Sequence, residues 1–86
     1  MRSRDRLGYV QSAVAAVDDA IALDPGDARC YGWRGIAAQD LDDIDEAAQD
    51  FRRAAQLYRA QGNLVNARAM LKMLAALGPA GRSWPH

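Results

Sequence analysis

Residues 28–61 read ARCYGWRGIAAQDLDDIDEAAQDFRRAAQLYRAQ. Apolar side chains recur in the second half of this stretch at Ile44, Ala47, Ala48, Phe51, Ala54, Ala55 and Tyr58. That alternation of three and four residues lays one apolar stripe along a helix. Asp42 and Asp43 stand where the helix opens, with Asp45 and Glu46 in its first turn. Negative charge there caps unpaired backbone N–H groups and complements the helix dipole, so the acidic cluster needs no ligand to explain it. Asp27 is placed to cap an earlier helix over about Ala28–Leu41.

Working outward, Val10, Ala13, Val14, Val17, Ala20 and Ile21 predict a first helix from about Arg6 to Leu23, stopped by Asp24-Pro25-Gly26-Asp27. Gly62-Asn63 ends the third helix, and a fourth is predicted over Leu64–Leu77, closed by Gly78-Pro79. Residues 1–79 then form one helical domain, and Ala80–His86 reads as a loose tail. Composition agrees with an all-α fold. Half the chain is hydrophobic, with alanine prominent, threonine absent and few β-branched residues to build strands.

A repeat lies inside this pattern. Ala13, Val17 and Ala20 have the spacing of Ala47, Phe51 and Ala54, thirty-four residues later, and the preceding turns align. Leu41-Asp42-Asp43-Ile44-Asp45-Glu46-Ala47 and Ala20-Ile21-Ala22-Leu23-Asp24-Pro25 are the stretches that carry a family resemblance. Residues 28–61 resemble one complete tetratricopeptide repeat, with Tyr31 at its aromatic place, Gly35 at its small-residue place, and Phe51 and Ala54 in its second helix. The resemblance spans roughly residues 8–78 and implies antiparallel helical hairpins in a solenoid of about four helices. Arg34 stands where the family favours leucine and Ala38 where it favours an aromatic. The proline expected near Arg59 is absent, so the third helix should run on to Gln61. The fourth helix is out of phase, because Gly62-Asn63, Ala67 and Leu71 look like a second-helix signature only 20 residues after the previous one. It is expected to act as a cap.

The first helix matches the second half of a repeat, so its own partner helix is missing from the pattern. An apolar face is therefore expected near Val10, Val14 and Val17, open to a second copy or a partner subunit, or to further repeats of a longer array.

Charge and chemistry narrow the function. Net charge is zero, yet all 11 acids lie at or before Asp50, while Arg52, Arg53, Arg59, Arg68, Lys72 and Arg82 follow it. The sole histidine is His86, the sole cysteine is Cys30, and no glycine-rich phosphate loop occurs. No catalytic, cofactor or metal set is expected. Cys30 excludes an internal disulfide and fits a reducing, cytoplasmic setting. No apolar run reaches the roughly 20 residues that span a bilayer. The Val-Ala-Ala-Val run at 14–17 is too short, and too soon followed by Asp18-Asp19, for a secretory signal.

Binding of a protein or peptide remains. The resemblance implies a concave groove lined by the first helix of the repeat, carried here onto Arg29, Gly32, Trp33, Ile36, Gln39 and Asp40. Two roles stay open for Trp33: an interface anchor, or packing against the fourth or a neighbouring helix. Arg52, Gln56 and Arg59, with Arg53 beside them, form a polar stripe that reads as a solvated face or as an acidic-ligand surface. The alternative function, nucleic-acid binding through the Arg-rich second half, has neutral charge and the acidic turn against it. Met70 and Met73 fit either core gaps or an adaptable surface.

Overall fold

In the computed structural model, the backbone is described for residues 2–82 and side-chain environments for residues 8–77. Four helices follow one another: α1 (Arg2–Leu23), α2 (Ala28–Asp40), α3 (Ile44–Ala60) and α4 (Leu64–Arg82). The described residues contain no strand. α2 packs on α3, α3 on α4, and α1 on α2. The result is a slab of 42 × 38 × 17 Å, too thin for more than one layer of core.

Each turn has its own polar logic. After α1, the Asp24 side chain accepts from the Gly26 amide at 3.2 Å, turning the chain at Pro25-Gly26. Asp27 then caps α2, accepting from the Arg29 amide at 3.0 Å. After α2, Asp42 adopts φ 62, and the Asp43 amide reaches back to the Ala38 carbonyl at 2.8 Å. After α3, Gly62 adopts φ 78, and the Asn63 amide reaches back to the Tyr58 carbonyl at 2.8 Å. Asp43 and Asn63 each cap the next helix through their side chains. The same Schellman-type turn thus occurs twice, twenty positions apart, which is the short spacing seen in the sequence.

Asp42 holds a left-handed conformation that glycine adopts without Cβ strain. Asp42→Gly is expected to stabilise the fold by about 0.5 kcal/mol, after the added unfolded-state entropy of glycine is offset. Gly62→Ala should destabilise by about 1 kcal/mol. Thermal melts of the two variants should move in opposite directions; a fall for Asp42→Gly would show that its side chain contributes more than its backbone strain costs.

α3 is the centre of the fold, and every member of its predicted stripe is buried or half-buried. Phe51, Ala47 and Ala54 have no exposed surface. Phe51 and Ala47 meet Ala38 of α2 and Leu77 of α4, while Tyr58 and Ala54 meet Ala28 and Ala67. A Cβ on Gly35 would stand 2.8 Å from the Phe51 ring, so the small residue lets α2 and α3 close on the aromatic. One turn away, a Cβ on Gly32 would stand 3.2 Å from the Met70 sulfur on α4. Met70 and Met73 are half-buried against the core, filling gaps.

Four boundaries differ from expectation, one of them the end of α3, which stops at Ala60 with Gln61 as its C-cap. α1 begins at Arg2 rather than near Arg6. α2 ends one residue early, at Asp40, with Leu41 as its C-cap. α4 runs through Gly78-Pro79 to Arg82 instead of closing at Leu77. Proline removes one N–H donor and crowds the preceding turn, which discourages a helix without forbidding it near an end. The rest of the expected tail, residues 83–86, lies outside the described residues.

Candidate functional site: the exposed face of α2 and the junction beside it

The rows of α2 are assigned by what each side chain meets. Gly35 faces Phe51 of α3, Gly32 faces Met70 of α4, and Arg34 reaches Asp18 of α1. Arg29, Trp33, Ile36 and Asp40 recur at steps of four, three and four, so they share the remaining row. All four are exposed, Trp33 by 56% and Ile36 by 42%. A large aromatic beside a branched aliphatic, both in solvent, is the principal apolar feature of this helix surface. Gln39, also exposed, lies on the neighbouring row in line with Gly32.

Arg29 carries little free charge into this surface. Its guanidinium folds back on Asp27 through Nε at 3.1 Å and Nη2 at 3.0 Å. That pairing lowers the Asp27 carboxyl below its ordinary value and raises Arg29. The arginine is thus part of the α2 cap, and Trp33 and Ile36 are the exposed apolar side chains of the row.

The other rows hold a feature that the sequence pattern reveals only in part. Arg34 donates to both carboxylate oxygens of Asp50 on α3, at 3.1 and 2.9 Å, and to Asp18 on α1 at 2.7 Å. Glu46 stands 3.8 Å away. Asp50 is only 3% exposed, and its bidentate bonds to Arg34 outweigh the desolvation of the guanidinium and raise its pKa further. Arg34 also lies 5.5 Å from the Tyr31 ring centre, with Arg53 at 5.9 Å from the same ring. Three helices are therefore tied by one guanidinium, which accounts for arginine at a position where leucine was expected. The sequence signal was a pair of opposite charges, Arg34 and Asp50, each on an inward row.

Glu46 is the discontented member. Burial first, and then repulsion from Asp50, push its carboxyl above the ordinary value despite the attraction of Arg34. An acid with a raised folded-state pKa binds its proton more tightly folded than unfolded, so it opposes folding once ionised and that penalty fades as pH falls through the folded pKa. Glu46→Gln should therefore melt slightly higher than wild type at pH 7, and the advantage should vanish below about pH 4.5. A variant that melts lower at pH 7 and equal at pH 4 would show that the Arg34 contact dominates instead.

On α1, Val10, Val14 and Val17 are half-buried, and the helix packs against α2. The large apolar side chains that α1 leaves uncovered are Tyr9, 78% exposed, and Leu23, 88% exposed. α1 has no fully buried residue among its described side chains. Between α1, α2 and the start of α3 lies a depression of about 190 Å³ lined by Val14, Asp18, Arg34, Ala38, Leu41, Asp43 and Glu46.

Arg52, Gln56 and Arg59 are all exposed on α3. Cys30 is buried on α2, and burial raises its thiol pKa, which keeps it protonated and unreactive. Among the described residues no buried side-chain polar atom lacks a partner, and no helix is long and apolar enough to cross a membrane. Compared with known proteins, the chain matches no family model, no curated protein and no solved structure.

Proposed function

We propose that the chain is a non-catalytic protein–protein interaction module of the tetratricopeptide type, a short adaptor or a small subunit of a larger assembly working in the cytoplasm. The partner is a protein or peptide that covers Trp33 and Ile36 on α2. The observation that carries this reading is the pair itself: Trp33 and Ile36 stand 56% and 42% exposed on one row of a helix whose other rows are occupied by α1, α3 and α4. Aromatic anchors of this kind supply much of the energy at protein interfaces. Repeat proteins commonly use such a helix-lined surface to hold a segment of another chain.

The test is selection of binders from a random peptide display library, followed by affinity measurements on Trp33→Ala. Selected peptides should lose at least about tenfold in affinity, a typical cost of removing an aromatic anchor, with helicity unchanged. Their binding should vary little between low and high salt, because Arg29 is already paired with Asp27. Selected ligands indifferent to Trp33, or tight salt-sensitive binding of a labelled oligonucleotide lost on Arg52→Ala or Arg59→Ala, would transfer the function to α3 and favour nucleic-acid binding.

A further inference from the structure

We propose that a second copy of this chain docks the outer face of its α4 into the depression between α1, α2 and the start of α3. The proposal rests on reading the chain as a protein-binding module, but it uses surfaces distinct from the Trp33 row. The depression is apolar within and acidic at its mouth. Val14, Ala38 and Leu41 form its apolar lining, and Asp18, Asp43 and Glu46 stand around them. Among the described residues Arg34 is the one cation lining the depression, and it is already bonded to Asp50 and Asp18. Negative charge is therefore in excess among these side chains. The fitting occupant pairs an apolar tip with flanking cations and brings no carboxylate.

α4 is such an element. It contains no acidic residue from Leu64 to Arg82. Leu64 is 66% exposed and Leu71 45% exposed, with Arg68 exposed between them and Lys72 exposed beside Leu71. Positions 64, 68, 71 and 72 share one side of the helix, so leucines and cations are presented together. A leucine side chain suits an apolar depression of about 190 Å³, while Arg68 and Lys72 would meet Asp18, Asp43 and Glu46. All acids lie at or before Asp50, which leaves α4 with cations alone among its charged residues. Because the depression and the α4 face are different surfaces, the contact is heterologous: copies join head to tail and neither half pairs with itself.

The experiment is sedimentation velocity of the full chain over a dilution series, for the wild type, Glu46→Lys, Leu71→Ser and their equimolar mixture, each checked for helicity by circular dichroism. The wild type should grow in mass with concentration, and association should weaken about tenfold between low and high salt as charges are screened. Each variant alone should stay monomeric, since one of its two surfaces is spoiled. Their mixture should form a dimer that grows no further, because the sound α4 of Glu46→Lys meets the sound depression of Leu71→Ser. If Glu46→Lys fails to fold, Glu46→Gln takes its place, with weakened rather than absent association expected.

A wild type that remains monomeric at every concentration overturns the proposal, as does association unchanged in both variants. A mixture that restores nothing shows a symmetric contact and also overturns it. Association lost in Trp33→Ala but kept in both variants would move the contact to the α2 row, sinking this proposal while leaving the protein-binding function in place. Peptide binding at Trp33 by a strictly monomeric chain would separate the two in the same way.

Discussion

Phe51→Ala is expected to lower the unfolding free energy by about 3–5 kcal/mol, enough to leave the chain largely unfolded at room temperature. Phe51 is the one large side chain sealed completely from solvent among the described residues. Its ring fills the space that Gly35 leaves on α2 and is enclosed by Ala38, Ala47 and Leu77. Its buried neighbours Ala38 and Ala47 have no rotamers with which to refill the hole, and Met70, Met73 and Leu74 at the cluster edge can refill it only in part. The slab is 17 Å thick, so no second layer of core exists to hold the helices once this contact is lost. Urea titration followed by circular dichroism reads the loss directly. Gly35→Ala supplies the converse test, because its Cβ would stand 2.8 Å from the same ring. Overpacking should cost more than the gain in helix propensity, for a net loss of about 1–2 kcal/mol. Combined with Phe51→Leu, whose smaller side chain frees the space, Gly35→Ala should cost much less. Additive losses would mean that the two residues do not share one cavity.

The second large effect is expected at Asp50. Asp50→Ala should destabilise by about 2–4 kcal/mol, below the loss for a wholly buried pair because Arg34 keeps Asp18 and some solvent. Arg34 is 23% exposed in its side chain and retains the 2.7 Å bond to Asp18, whereas Asp50 is 4% exposed in its side chain and has no such escape. Arg34→Leu should be the costlier partner, since it strands the Asp50 carboxylate in the slab. The double variant Arg34→Leu with Asp50→Ala removes both charges, and it should recover much of what either single change loses. It restores leucine at a position where the resemblance expects it. A double variant as unstable as the sum of the singles would show that the ion network fixes helix positions beyond its own pairwise strength.

Much of this was legible from residues 28–61. The apolar row of α3 could be read because three- and four-residue spacing and helix burial are the same fact seen twice. The turns could be read because Asp, Gly and Asn carry their conformational preferences locally; Asp27, Asp43 and Asn63 cap helices through bonds spanning two or three residues. Gly35 was read as a close approach, and the ring it accommodates is Phe51. What lay beyond the sequence was long in range. The Arg34 network joins residues 16 positions apart in both directions, and no local spacing shows which carboxylates the guanidinium meets. How far Val10, Val14 and Val17 are covered depends on the packing of α1 against α2, which joins separate helices. For α2, the resemblance implied a groove over Arg29, Gly32, Trp33, Ile36, Gln39 and Asp40, of which Arg29, Trp33, Ile36 and Asp40 share one exposed row. That Arg29 turns back to its own cap depends on a side-chain rotamer, which no spacing records.

The most direct measurement of the binding function is an amide chemical-shift map of the labelled protein, titrated with a peptide selected as above. Binding at the proposed surface perturbs the amides of Arg29, Trp33, Ile36 and Asp40 first and most strongly, with α3 amides nearly still. Shifts centred on Arg52, Gln56 and Arg59, with the α2 row unmoved, would contradict it.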